Sequence, residues 1–278
     1  MALKALSDTP QLSVVIPAYN EEATLKVVVH RLLEIPDVLE VIIVDDCSTD
    51  RTQEIARALS ASHERVRVVR HSRNSGKTQA LKTGFAMTRG GIVIVQDADL
   101  EYDPHEIPQV IQPIVEGYAD VVYGSRFIVR KTTRVLYYYH YIANKFLTSV
   151  SNLLTNLNMT DVETCYKAFR GEIIRSMIIK SSGFGFEIEV TAKVAKLKCA
   201  IYEVPISYYG RTYEEGKKIG VLDGLVALWF IIRFNLLCSK RASFSTPPAL
   251  SGVTGFHPLR AQGRGENQGA ESFHAPGR

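Results

Sequence analysis

The stretch Gly91-Ile92-Val93-Ile94-Val95-Gln96-Asp97-Ala98-Asp99-Leu100 decides how the chain is read. Four consecutive β-branched residues predict a strand buried on both faces, and the run ends at two carboxylates one residue apart. Open α/β sheets collect ligands at the carboxyl ends of their strands. Two acids at such an end suit a hard divalent cation that also holds phosphate oxygens. The plain alternative is a solvated turn closing a strand, and the flanking sequence decides between them.

Toward the N-terminus, Leu12-Ser13-Val14-Val15-Ile16-Pro17 predicts a short buried strand, followed by the turn Ala18-Tyr19-Asn20-Glu21-Glu22 and a helix over about 23–34. Acids at a helix start serve the helix dipole in the first instance. A second strand, Glu40 to Val44, ends in Asp45-Asp46-Cys47-Ser48-Thr49-Asp50, with a helix through about Ser60. Val66 to Val69 predicts a third strand, and a helix to about Thr88 follows the loop His71 to Thr78. Strand and helix alternate, which implies a parallel sheet. Gly76-Lys77-Thr78 resembles the end of a P-loop, but His71 stands where that motif needs its first glycine. A glycine turn packed beside a ligand is expected instead.

Toward the C-terminus, Pro104 opens another helix and Asp120 to Arg126 forms a strand ending at an arginine. The segment 134–157 carries Tyr137, Tyr138, Tyr139 and Tyr141 and then continues apolar. It is read either as a helix packed on the sheet or as one lying at a membrane surface. Gly183-Phe184-Gly185 lacks the preceding strand of a dinucleotide fingerprint, and Glu187 and Glu189 start a helix running to Leu197. Ala200 to Ser207 is a last strand, followed by a basic loop, 210–219. The helix over 221–237 contains eight consecutive apolar residues, Leu225 to Ile232, for packing into the body or dipping into a bilayer interface.

Composition sets outer limits. With 278 residues and 46% hydrophobic content, one substantial domain is expected over 11–238, after an N-terminal extension of 1–10 and before a disordered tail of 239–278. That tail holds +3 of the +4 net charge, so the folded part carries no nucleic-acid footprint. Four scattered cysteines and no signal-peptide pattern predict a cytoplasmic protein, and no apolar run reaches the roughly 18 residues of a membrane span.

Ser13 to Glu21, Val44 to Asp50, Asp97-Ala98-Asp99 and Gly124-Ser125-Arg126, in that order, resemble family 2 glycosyltransferases of the GT-A fold. Asp161 to Arg170 and Arg211 to Lys217 are similar to the dolichol-phosphate mannose synthase branch and its bacterial polyprenyl-phosphate relatives. The resemblance spans about 11–237. It implies a Rossmann-like, mostly parallel α/β sheet flanked by helices, ending in an amphipathic helix. It further implies a donor nucleotide sugar, GDP-mannose or UDP-glucose, held by Pro17, Tyr19, Glu21, Val44, Asp46, Asp97, Ala98, Asp99, Arg211 and Lys217. Mg²⁺ or Mn²⁺ would sit on Asp97, Asp99 and Glu101, with Asp99 the principal ligand. Arg126 and Arg134 would meet the acceptor phosphate, and Asp99 and Arg126 would be the catalytic pair.

Inversion at the sugar with a leaving nucleoside diphosphate calls for cations at the departing charge. A polyprenyl phosphate acceptor is already ionised at neutral pH, its second pKa being near ~6, and needs positioning rather than a base. A saccharide hydroxyl would need one, with Asp161 or Glu163 available. The expected setting is peripheral attachment to the cytoplasmic face of a membrane, alone, as a homo-oligomer or through a membrane partner. The alternatives are hydroxyl acceptors in polysaccharide synthesis and a catalytically silent scaffold subunit.

Overall fold

The computed structural model describes residues 11–128, 134, 135, 137–183, 185–210, 221–246, 248 and 250. Seven strands form one sheet: β1 (Leu12–Ala18), β2 (Val38–Asp45), β3 (Val66–Arg70), β4 (Ile92–Val95), β5 (Val121–Ser125), β6 (Lys167–Arg170) and β7 (Ile201–Pro205). Their order is β3-β2-β1-β4-β6-β5-β7. All neighbours are parallel except β6, which runs antiparallel to both β4 and β5. The helices are α1 (Leu25–Leu33), α2 (Thr52–Ser62), α3 (Lys77–Met87), α4 (Ile107–Val115), α5 (Tyr138–Thr155), α6 (Gly171–Ser176), α7 (Phe186–Leu197) and α8 (Val221–Leu236). β4 and β5 are buried at every residue, as parallel-type strands covered on both faces must be.

The chain runs from β1 outward through β2 to β3 and then returns to the other side of β1 as β4. That reversal creates a switch point between β1 and β4, where an open sheet leaves a crevice at its carboxyl edge. The pairing of β1 with β4 ends at Val15 and Val95, while β1 stays paired with β2 through Ala18. Pro17 therefore falls where β1 has a neighbour on one side only, the placement a residue without an N–H requires. Beyond that point the Asp97-Ala98-Asp99 turn departs from the sheet.

At the opposite edge, Glu40 is fully buried and accepts hydrogen bonds from Ser13 Oγ (2.8 Å), the Arg89 N–H (2.7 Å) and the Arg67 guanidinium (3.0 Å). Burial pushes its carboxyl up, but these donors together hold it below the usual glutamate range. The carboxylate ties β1, β2, β3 and the approach to β4 at the end away from the crevice.

A second apolar cluster joins α5, α7 and α8 through Leu147, Ile188, Ala227, Phe230, Ile231 and Phe234. α8 thus buries one side, while Leu225, Trp229 and Leu236 stay exposed. α5 likewise exposes Tyr138, Tyr139, Phe146 and Leu153. Among the described residues no helix is long and apolar enough to cross a membrane.

Two readings of the sequence change. β6 and α6 were not anticipated. The expected tail also starts later, because Arg241–Ser243 forms a 3-10 turn and Phe244 pairs with Met177. Ser243 and Phe244 are buried there, so the chain stays packed on the domain past Ser239. Residues 1–10 and 251–278 lie outside the described residues.

α3 crosses β1 at Gly84, where an added Cβ would lie 2.3 Å from Val15 Cγ1. Gly84→Ala gains about 1 kcal/mol of helix propensity but overpacks a stiff β-branched contact, at a cost of about 1–3 kcal/mol. The second effect is expected to win, lowering the urea midpoint with an unchanged slope.

Candidate active site

The rim between β1 and β2 is knitted by short polar bonds. Asn20 takes the left-handed conformation (φ 56°), and its N–H donates to Ser48 Oγ at 3.0 Å while its Oδ1 accepts from the Thr49 N–H at 2.8 Å. The Glu21 N–H donates to Thr52 Oγ1 at 2.8 Å. Tyr19 is exposed and Pro17 half-buried at this rim, and Val44 is buried beneath it. Asp46 faces elsewhere. Its carboxylate accepts from the N–H groups of Ser75 (3.0 Å) and Gly76 (2.6 Å) and meets His71 Nδ1 at 2.6 Å. It sets the 71–76 loop, whose Gly76 has the positive φ (87°) that the turn into α3 requires.

Immediately after Gly76, Lys77 reaches into the crevice. Its Nζ lies 3.0 Å from Asp97 Oδ1 and 3.2 Å from Glu187 Oε1. Burial works against the ammonium, but the Asp97 and Glu187 charges hold its pKa well above the usual lysine value. Thr78 spends its N–H and hydroxyl on the Gly183 carbonyl, at 3.2 and 2.8 Å. The start of α3 is thus committed to protein groups, which is incompatible with a phosphate cradle at Gly-Lys-Thr.

The turn after β4 is held from below. Gln96 Nε2 donates to the Asp97 carbonyl (3.0 Å), and Gln96 Oε1 accepts from the Tyr166 hydroxyl (2.5 Å). Tyr102 stacks on Tyr166 with centroids 4.8 Å apart. Asp99 is half-buried and its Oδ1 accepts from the Glu101 N–H at 3.1 Å across Leu100, whose φ is 62°. Glu101 Oε2 accepts from the Tyr208 hydroxyl at 2.8 Å. Asp97, Asp99 and Glu101 are therefore engaged separately. Among the described residues no three His, Cys, Asp or Glu side chains converge to hold a metal ion. A phosphate-bound Mg²⁺ or Mn²⁺ needs only one or two carboxylates, and the half-buried Asp99 carboxylate has the oxygen donors that such an ion takes, whereas Asp97 faces an ammonium.

The other wall is cationic. Arg126 makes a bidentate pair with Asp161, Nε to Oδ2 at 2.6 Å and NH2 to Oδ1 at 2.7 Å. Asp161 is fully buried. Burial pushes its carboxyl up, yet Arg126 outweighs this and holds it below the usual aspartate range. The Arg126 guanidinium lies 5.1 Å from the Tyr208 ring centroid, which links this wall to Glu101. Asn144 of α5 donates to Asp161 (3.3 Å), and Lys145 donates to the Thr160 carbonyl (3.2 Å). Arg134 donates to the Gly210 carbonyl at 3.1 Å. Arg211 and Lys217 lie outside the described residues.

Between the walls, Lys167 of β6 is buried, donates to the Val162 carbonyl at 3.0 Å and sits 4.8 Å from the Tyr123 ring centroid. Burial pushes its ammonium down. The Glu163 carboxyl is pushed up to about 7, first by burial and then by the Glu187 charge. Lys77, Glu187, Lys167 and Tyr208 were not anticipated as site residues. Lys77 carried a signal, a lysine in the loop closest to the acidic strand, but it was spent on testing a P-loop.

The family described as "Glycosyl transferase family 2" matches residues 13–177. The undecaprenyl-phosphate mannosyltransferase of Micrococcus luteus is 30% identical over 76% of this chain and 88% of its own length. The dolichol-phosphate mannosyltransferase of Pyrococcus furiosus is 30% identical over 87% of this chain and 69% of its own. Among solved structures, the UDP complex of Mycobacterium tuberculosis glucosyl-3-phosphoglycerate synthase superposes with a TM-score of 0.63. It is 22% identical and covers 81% of this chain and 80% of that one. The same enzyme with Mn²⁺, UDP and phosphoglyceric acid gives 0.61 at 23% identity, covering 81% and 78%. The solved structures share this chain's fold, and the family match over more than half the sequence makes the chain a member of glycosyl transferase family 2, a glycosyltransferase.

Proposed function

We propose that this glycosyltransferase moves a hexose, with inversion, from a nucleotide-diphospho sugar (GDP-mannose or UDP-glucose) to a polyprenyl phosphate. It works as a peripheral enzyme at the cytoplasmic face of a membrane. The observation that carries the lipid acceptor is the junction of the cationic wall with α5. Asn144 and Lys145 of α5 bond the Asp161 side of the wall, and Phe127 packs edge-on against Tyr141, 5.3 Å between centroids. The helix that exposes Tyr138 and Tyr139 is thus fastened to the residues that would meet a phosphate. An amphiphilic acceptor with an anionic head and an apolar tail matches that sequence of surfaces. The relatives named for transfer to undecaprenyl or dolichol phosphate support the same acceptor class.

In this reading Pro17, Tyr19, Glu21 and Val44 border the nucleotide's base and ribose, while Asp46 shapes the adjoining 71–76 loop. Ala98 and Asp99 face the pyrophosphate, and Arg211 and Lys217 close over it. Asp99 would hold Mg²⁺ or Mn²⁺, which would supply positive charge for the leaving diphosphate. Arg126 and Arg134 orient an acceptor phosphate that is ionised without help from a base.

Transfer of label from donor to polyprenyl phosphate, with no transfer to saccharides, tests the assignment. Arg126→Lys keeps the charge but breaks the fork geometry. It is expected to lower kcat at least tenfold with little change in donor KM; an equal rate would remove Arg126 from the acceptor site. Arg126→Ala is less informative, because an unpaired buried Asp161 costs about 3–5 kcal/mol of stability.

Trp229, the chain's single tryptophan, is 53% exposed on α8. Its emission should shift to the blue on adding vesicles of mixed anionic and zwitterionic lipid. No shift at low salt, with the protein left in the supernatant, would count against attachment through this surface.

One observation favours a hydroxyl acceptor: a Glu163 carboxyl titrating at about 7 is poised as a general base. In that case the rate rises with pH through about 7, and Glu163→Gln removes both this limb and roughly 10²–10⁴ of the rate. With a lipid phosphate the limb follows the acceptor near ~6 and survives the substitution. The surviving limb is the expected result.

A further inference from the structure

Glu187 is read from the sequence as a helix-starting acid, yet it does not face solvent. It is 4% exposed, at the first turn of α7, with one carboxylate oxygen on Lys77 at 3.2 Å. Its second oxygen, Oε2, is buried and has no hydrogen-bond partner among the described residues. A buried carboxylate oxygen left unpaired costs free energy, so such atoms in folded proteins call for an explanation. The Lys77 ammonium that holds Oε1 also holds Asp97, so Glu187 lies one side chain away from the acidic turn at the crevice. Lys77 and Asp97 keep 18% and 19% of their side-chain exposure and Glu187 keeps 6%, so solvent reaches this cluster from its Lys77–Asp97 side.

The chemistry of the missing partner is constrained. An ionised carboxylate only accepts hydrogen bonds, so its partner must bring O–H or N–H donors. The phosphates of the donor bring none at neutral pH and would be repelled. In the proposed function the nucleotide base is met by Pro17, Tyr19, Glu21 and Val44 at the β1–β2 rim. The part of a nucleotide sugar that remains, and that carries neighbouring hydroxyls, is the hexose.

We propose that Glu187, anchored by Lys77 beside Asp97, receives hydroxyl groups of the donor's hexose and determines which hexose is transferred. This rests on the reading of the protein as a nucleotide-sugar transferase and names the group that reads the sugar. A hydrogen bond to a charged acceptor discriminates against a donor lacking the hydroxyl by about tenfold or more.

The test measures binding by calorimetry for wild type and Glu187→Gln against GDP-mannose, UDP-glucose, their 2-, 3-, 4- and 6-deoxy sugar analogues, and GDP and UDP alone, each with Mn²⁺. In wild type at least one deoxy analogue is expected to bind about tenfold or more weakly than its parent. In Glu187→Gln the parent should lose a similar factor, the deoxy penalty should shrink toward unity, and the nucleoside diphosphate should bind as before. Equal losses for sugar donor and bare diphosphate would make Glu187 a purely structural partner of Lys77 and overturn the proposal. A deoxy penalty unchanged by the substitution would also overturn it. Failure of wild type to bind any of these nucleotides would instead overturn the transferase reading on which it stands. Thermal unfolding of Glu187→Gln, expected within a few degrees of wild type, separates these losses from misfolding.

Discussion

One ammonium group joins three elements that the rest of the site depends on. Lys77 leaves α3, touches the turn after β4 through Asp97 and reaches the first turn of α7 through Glu187. Without that cation two carboxylates would share a partly buried space, and each charge would be unmatched. With it, the acidic turn is held in place at Asp97, while Asp99, two residues further along, accepts from the Glu101 N–H. The division is physically economical. Asp97 is tied to the ammonium, and Asp99 is the acid that the proposed function assigns to phosphate and cation.

The second wall depends on a reversed strand. β6 enters between β4 and β5 antiparallel to both, so the loop before it arrives at the same edge as the carboxyl ends of β4 and β5. That is how Asp161 and Glu163 come to the crevice, and Asp161 then fixes Arg126 in a bidentate grip. Placing Lys167 in this strand buries an amine. Its cost is offset by the Val162 and Thr164 carbonyls and by the face of Tyr123. Arg126 and Lys77 thus meet carboxylates, whereas Lys167 is held by carbonyl oxygens and an aromatic face.

The sheet was legible where its strands are continuous apolar runs. Leu12 to Pro17, Glu40 to Val44 and Ile92 to Val95 announce themselves because both faces of a central parallel strand are covered. β6 was not legible, since Lys167-Ala168-Phe169-Arg170 is only four residues with a charge at each end, and a buried lysine inverts the usual pattern. Glu187 was hidden for a related reason. An acid in a helix's first turn is ordinarily explained by the dipole, and only the fold shows it turned inward onto Lys77. Asp46 was expected to hold the donor from its position after β2. Its side chain, however, serves the N–H groups of Ser75 and Gly76, a contact between segments about 30 residues apart that no local pattern encodes.

The exposed helices follow from what the core leaves over. α5, α7 and α8 satisfy one another through a small cluster that consumes only one side of α5 and of α8. The remaining sides carry tyrosines, Trp229 and leucines in place of the charges a surface helix normally presents. Such residues are costly in water and favourable at the boundary between headgroups and acyl chains, where a ring is buried and its polar edge stays wet. α5 is also bonded to the Arg126–Asp161 wall, and this is why the proposed function has a lipid acceptor resting on this surface present its phosphate to the guanidinium. On that proposal, attachment and acceptor positioning would be a single geometric requirement placed on one helix.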